Sequence, residues 1–302
     1  MRTAVCAALM ALYQQDPFVF LTGDLGFQAL EPLRTLMGER FINAGIAEQN
    51  MVSVAAGMAQ QGMAVWIYSI APFCYARPFE QIRNDICHHG LPVRLIGNGG
   101  GYGYGAMGPS HHALEDYGVL LTLPHIRAYV PIFAQDVGAV VQRMAAESTP
   151  GYLRLGRCER PDGYVVPPYA PWRLLLPGGG QPVVVVGPLA GGLLAALASV
   201  AEEWRPAVWG VSELPLTCHP PPESFLAAVR ASRRLVVLEE HVVQGGVGQM
   251  LAHLLVQQGI AVDAFVHRHA LGYLSGTCGS QSFHRRECGL DPGSLLHLLG
   301  VV

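Results

Sequence analysis

The residues of this chain able to do chemistry gather in its first half. Glu48 opens an apolar helix in the run FINAGIAEQNMVSVAAGMAQQG, residues 41–62. A carboxylate there can move a proton to or from a bound group, or it can simply interact with the helix dipole and the free amides of the first turn. Asp24 closes the strand-like run 18–21 with Thr22-Gly23-Asp24. That puts a carboxylate at the carboxyl edge of a parallel sheet, where ligands usually sit; a turn or helix-cap aspartate is the plainer alternative. Further on, residues 97–105 read GNGGGYGYG and lead into Met107-Gly108-Pro109-Ser110-His111-His112. Glycine density alone suggests a phosphate loop, yet no lysine accompanies it and no helix opens directly after it, so that signal is weak.

What is missing narrows the chemistry. All 19 basic residues are arginine, which excludes a Schiff-base lysine, a pyridoxal phosphate anchor and a Walker-type lysine within the chain. Cysteines stand at 6, 74, 87, 158, 218, 278 and 288 with no CxxC spacing. Their odd number speaks against a disulfide framework or a zinc site. The histidines come close together only at His88-His89, His111-His112 and His267/His269, and no metal site built by this chain alone is expected.

Regular elements must hold the candidate residues in place. In the Glu48 helix, Met51, Val54, Ala55, Met58 and Ala59 share one apolar face. The small residues Ala47, Ser53, Ala55, Ala56, Gly57 and Ala59 predict a helix buried against another backbone. A helix is expected over 3–15, strands over 18–21, 63–68, 93–96, 127–130 and 152–155, a Pro72-led helix over 73–88, and a further helix over 134–147. This alternation is typical of a parallel sheet wrapped by helices. Proline and glycine crowd 158–182 and mark a linker. Beyond it, strands over 183–186, 207–211, 235–238 and 261–265 alternate with helices over 190–203, 223–231 and 246–258. The expected fold class is α/β, with two parallel-sheet domains at 1–158 and 182–302 joined by a linker at 159–181.

The segment Gly45-Ile46-Ala47-Glu48-Gln49-Asn50, followed by Ala55-Ala56-Gly57-Met58-Ala59 and Gly62, resembles the signature of the pyrimidine-binding domain of thiamine diphosphate enzymes of the transketolase type. Glu239-Glu240-His241 with Gly245-Gly246-Val247-Gly248 resembles the C-terminal domain shared by transketolases and 2-oxoacid dehydrogenase beta chains, which chiefly builds the dimer. The resemblance implies that Glu48 hydrogen-bonds the aminopyrimidine of thiamine diphosphate and promotes its imino tautomer, which then removes the thiazolium proton. A carboxyl group in a water-poor pocket can share a proton with a ring nitrogen at neutral pH.

The same resemblance implies an apolar wall for that ring at Ile70 and Phe73, where the family usually has two aromatics; Phe73 as ordinary core is the alternative. Asp24 would lie close to the cofactor. Arg77 is a further cofactor-binding candidate, although with Glu80, Gln81 and Arg83 it equally suits packing and a chain interface. His111, in the family's Gly-x-Ser/Thr-His segment, would face the substrate and steady oxygens whose charge changes during carbon–carbon cleavage. Arg157 matches an arginine that can bind substrate phosphate, and it equally suits the surface or a domain junction. Three departures stand out. Phe27-Gln28 replaces a serine of the sugar-phosphate enzymes, and the substrate-facing positions Gly99 and Met107 hold a histidine and an aspartate there. Losing two polar readers predicts an opened pocket with relaxed or redirected specificity.

A complete enzyme of this type also needs a domain that holds diphosphate and Mg2+ through a Gly-Asp-Gly motif, and Gly23-Asp24-Leu25 is not that motif. The resemblance therefore implies half of a split enzyme. Its partner would be a diphosphate-binding, metal-holding N-terminal transketolase-like subunit, assembled with this chain as an alpha2beta2 heterotetramer. The implied reaction transfers a two-carbon ketol unit from a ketose or ketose phosphate. Transfer to a lipoyl or acyl carrier-protein arm is an alternative, and a non-catalytic scaffold subunit is another. Apolar residues make up 51% and charged residues 14%, as expected of a surface covered by partner chains. A net charge of −3 without a basic block argues against nucleic acid or an anionic membrane as partner. No uninterrupted apolar run reaches membrane-spanning length, and a cytoplasmic protein is expected.

Overall fold

Short apolar strands alternating with helices build two mostly parallel sheets. The computed structural model describes every residue except Cys158 and Val302, so the expected first-domain end at Cys158 lies outside the described residues. In chain order the strands are β1 (Val19–Thr22), β2 (Phe41–Asn43), β3 (Val65–Ile70), β4 (Val93–Asn98), β5 (Arg127–Tyr129), β6 (Gly151–Leu155), β7 (Trp172–Leu176), β8 (Gly180–Val186), β9 (Pro206–Val211), β10 (Glu213–Leu214), β11 (Arg234–Leu238) and β12 (Ala264–Arg268). The first sheet has seven strands in the order β10-β5-β6-β4-β3-β1-β2, and the second has five in the order β12-β11-β8-β9-β7. Each is parallel except at one edge, where β10 pairs antiparallel with β5 and β7 with β9. β3, β4 and β8 are almost continuously buried, because helices cover both faces of a parallel sheet. No helix among the described residues is long and apolar enough to cross a membrane.

The two sheets are stitched together. The segment 159–181, expected to be a linker, carries β7, and β10 leaves the second half to pair with the first sheet. Arg173 on β7 forms a buried ion pair with Asp136, whose Oδ2 also accepts the N–H groups of Ile132 and Phe133 at 3.0 and 2.9 Å. One apolar cluster runs from Met51, Ile67 and Leu95 to Val184, Phe225 and Val237.

In the second half the helix expected over 190–203 ends at Leu197 and the strand expected over 261–265 is Ala264–Arg268, and two helices near the candidate site also differ from expectation. Helix Glu48–Gln60 buries Met51, Val52, Ala55, Ala56 and Ala59, while Ser53, Val54 and Gly57 face outward. One side packs on the sheet, so the helix is a surface helix of this chain and not one enclosed all round, and neighbouring Ile46 is 79% exposed. The Pro72-led helix expected over 73–88 is broken into Ala71–Tyr75, Phe79–Gln81 and a π-helical turn over Ile82–Cys87. Pro78 is the cause, since it offers no N–H and its ring would crowd the carbonyl four residues back. Arg77 sits in the break.

Candidate active site

Glu48 is delivered by β2 and by a turn at Gly45, whose φ of 73° suits glycine. Its side chain is only 6% exposed, and Oε1 accepts a hydrogen bond from Arg77 Nη1 at 2.9 Å. The carboxylate is thus engaged by Arg77. The Arg77 guanidinium lies over the Phe73 ring, its carbon 3.7 Å from the ring centroid. Phe73 in turn meets the His111 ring edge-on at 5.2 Å. The broken helix makes this possible: Phe73 is on the turn before Pro78 and Arg77 is at the gap, so the guanidinium folds back across the ring. Ile70, half-buried, ends β3 immediately before this helix.

The glycine-rich loop supplies the facing wall. Gly99 has φ of 81°, and a Cβ there would run into the Tyr104 ring. Tyr104 accepts a hydrogen bond from Asn98 Nδ2 at 2.8 Å and lies 5.8 Å from the His111 ring. The opening expected at Gly99 is therefore closed by an aromatic ring. Met107, 58% exposed, leaves its own position uncovered. His111 Nδ1 is 2.9 Å from Ser110 Oγ.

His112, which follows the motif histidine His111 and is not a candidate from the sequence, is buried between two partners. Its Nε2 lies 2.8 Å from the Gly105 carbonyl and its Nδ1 2.8 Å from the Tyr273 hydroxyl. A carbonyl accepts only, so Nε2 carries the proton and Nδ1 accepts from the phenol. Burial lowers the pKa of this imidazole and keeps it neutral. Tyr273 belongs to the second half of the chain, yet it lines one cleft of about 390 Å³ with Phe73, Arg77, Ser110 and Glu115. Glu115 Oε2 accepts from the Tyr75 hydroxyl at 2.9 Å.

A second carboxylate from the C-terminal half anchors the loop. Glu240 Oε1 accepts the Tyr102 N–H at 2.6 Å and Gln281 Nε2 at 2.9 Å, while Oε2 accepts Arg285 Nε at 2.6 Å. Its neighbour Glu239 fills the helix N-terminus after the glycine turn, accepting the N–H groups of Val247 and Gly248 at 2.9 and 3.0 Å and contacting His267 at 2.6 Å. Beneath them Arg154 pairs with Asp116 at 2.9 Å. The signal for Tyr104 is present in the alternation GYGYG. Tyr273 and Glu240 carry no local signal for the cleft, since only the docking of the second sheet brings them there.

Glu48, Phe73, Arg77 and His111 are thus brought together. Asp24 is not among them: it is exposed, accepts from Asn43 Nδ2 at 3.1 Å, and lines a separate cavity of about 260 Å³ with Glu31 and Arg34. Arg157 is exposed just past β6 and does not line the cleft. Among the described residues no group of three or more His, Cys, Asp or Glu side chains is placed to hold a metal ion.

Residues 1–161 match the family model described as the transketolase pyrimidine binding domain. The chain belongs to that family. It is 27% identical to one of the subunits of the apulose-4-phosphate transketolase of Actinobacillus succinogenes over 267 residues, 86% of this chain and 84% of that protein. It is 28% identical to the 6-deoxy-6-sulfo-D-fructose transketolase subunit SqwH of a Clostridium species, covering 80% of this chain and 76% of the other. A solved split gene transketolase, an inactive beta4 tetramer, superposes with a TM-score of 0.81 at 28% identity over 99% of this chain and 96% of that one.

Membership of a transketolase family implies dependence on thiamine diphosphate. The residues of the site fit the pyrimidine end of that group. A flat, delocalised N–H donor, the Arg77 guanidinium, already lies on the Phe73 face with its edge on the buried Glu48 carboxylate, and an aminopyrimidine ring asks for the same two contacts.

Proposed function

We propose that this chain is one subunit of a split, thiamine-diphosphate-dependent transferase that moves a two-carbon ketol unit from a ketose or ketose phosphate. Its partner is a separate subunit that holds the diphosphate and Mg2+. The observation that carries this reading is the buried Glu48 carboxylate with a planar N–H donor lying between it and the Phe73 ring. When bound, the cofactor supplies the electron sink for carbon–carbon bond cleavage. Glu48 holds a proton at the ring nitrogen of the aminopyrimidine, while Phe73 and Ile70 wall the ring and exclude water. His111, with Nδ1 engaged by Ser110, keeps Nε2 for a substrate oxygen whose charge changes during cleavage. Neutral His112 fixes the Tyr273 hydroxyl at the cleft wall.

The named relatives are transketolase subunits whose names carry a sugar phosphate and a sulfosugar. They support a ketose or ketose phosphate as the donor. The outward small-residue face of helix Glu48–Gln60, with exposed Ile46 and Val54, supports a covering partner chain and a heterotetramer.

The test is co-expression with a diphosphate-binding subunit, followed by titration of thiamine diphosphate and Mg2+ into each chain and into the pair. Tight binding by the pair alone is the expected result. In the pair, Glu48→Gln is expected to lower turnover by about 10²–10⁴-fold, the range for loss of a positioned proton-transfer group. Near wild-type turnover would remove Glu48 from the mechanism, and cofactor binding to neither chain nor pair would leave a scaffold role.

A further inference from the structure

Arg77 makes two contacts that no family resemblance assigns to it. Its guanidinium lies 3.7 Å over the Phe73 centroid, and Nη1 donates to Glu48 Oε1 at 2.9 Å. A guanidinium is planar and delocalised, carries its N–H groups in the plane, and stacks on aromatic faces. An aminopyrimidine ring shares those features. Both groups seek one surface, the face of Phe73, and one acceptor, the Glu48 carboxylate. With the guanidinium carbon 3.7 Å from the ring centroid, a second flat group has no room between guanidinium and ring. Building on the cofactor reading above, we infer that Arg77 is the resident occupant of the aminopyrimidine subsite and must leave before the cofactor ring can enter.

The position of Arg77 suits exchange. It lies at the helix break before Pro78, where its neighbours on the chain are least constrained by helix hydrogen bonds, and its side chain is 44% exposed. The guanidinium end of this pair is in water, so the cost of its departure falls on the buried Glu48 carboxylate, and an entering aminopyrimidine N–H offsets that cost by pairing the carboxylate again. While it stays, it keeps a buried carboxylate paired and an aromatic face covered, as burial of a charge demands. Departure leads into the cleft that Arg77 already lines, where Glu115 offers a second carboxylate. Arg77 thereby sets the affinity for the cofactor from the opposite side to a binding residue: it competes.

The sign of one substitution separates the two roles. In the assembled pair, titrated calorimetrically with thiamine diphosphate and Mg2+, Arg77→Met is expected to tighten cofactor binding by about tenfold, the equivalent of ~1.4 kcal/mol. Arg77→Lys, which keeps the charge without the plane, falls between. Arg77→Ala leaves the subsite empty, and millimolar methylguanidinium is expected to refill it, weakening cofactor binding competitively in Arg77→Ala and leaving wild type unaffected. The isolated fragment 4-amino-5-aminomethyl-2-methylpyrimidine should likewise bind Arg77→Ala more tightly than wild type. Unchanged or weaker cofactor and fragment binding in Arg77→Met and Arg77→Ala overturns the inference, and so does methylguanidinium without effect on either protein. Failure of thiamine diphosphate to bind the wild-type pair overturns the proposed function instead; methylguanidinium and the fragment, scored on Arg77→Ala by direct titration, then still decide what occupies the subsite.

Discussion

Glu240→Gln tests whether the C-terminal half holds the glycine-rich loop in its working position. The Glu240 side chain is 7% exposed and serves three donors, the Tyr102 N–H, Gln281 Nε2 and Arg285 Nε, at 2.6, 2.9 and 2.6 Å. Glutamine keeps the volume and one acceptor oxygen. Its amide must then face a second donor, leaving a buried N–H unpaired at about 1–3 kcal/mol, and the Arg285 ion pair loses one charge. Breaking a buried pair from one side costs about 3–5 kcal/mol. Arg285 is partly solvated, which favours the lower end, about 3 kcal/mol in all. At about 2–4 °C per kcal/mol for a chain of this size, the melting temperature falls by roughly 6–12 °C.

The assay is thermal denaturation read with turnover of the assembled pair, since releasing Tyr102 frees the loop that carries His111. Arg285→Met removes the same ion pair from the other side. In that background Glu240→Gln should cost less than in wild type, with a coupling of about 1–2 kcal/mol. A melting temperature within about 1 °C of wild type, or full additivity of the two substitutions, would refute the anchoring role.

Two other outcomes are expected. Gly99→Ala forces a side chain onto a φ of 81° and into the Tyr104 ring, at about 2–4 kcal/mol by denaturant titration; adding Tyr104→Ala should recover the steric part and leave about 1 kcal/mol of backbone strain. His112, His219 and His241 all have pKa values lowered from the ordinary 6.5, each chiefly by burial. The unfolded chain then binds more protons than the folded one between those lowered values and 6.5, so stability is full above pH 6.5 and is lost as pH falls below it. Denaturant melts across pH 7.5 to 5 at about half-unit steps should show that slope, and His241→Phe, which keeps a ring on Tyr117, should flatten it; a slope unchanged in that variant would remove His241 from the account.

Much of the architecture is legible in the order of residues. Strand and helix alternation follows from local apolar periodicity, and both sheets form where continuous runs such as those of β4 and β8 predict them. Glu48, Phe73 and His111 are legible as candidates because each sits in a contiguous motif whose spacing survives in one dimension. Pro78 is a visible helix breaker, although the apolar pattern over 73–88 runs through it. The outward face of the Glu48 helix is not legible, because small residues invite close packing without saying whether the neighbour lies in this chain or in another.

Tertiary structure alone decided how the pieces of the site meet. Glu48 and Arg77 are 29 residues apart and Tyr102 and Glu240 are 138 apart; such contacts depend on sheet order and on the docking of two halves, which no local pattern encodes. The two-residue strand β10 is too short to show a period, so its crossing to the first sheet could not be anticipated. Gly99 makes the same point at atomic scale. Its missing side chain reads as space in the sequence, and close packing fills that space with the nearest ring that fits, Tyr104.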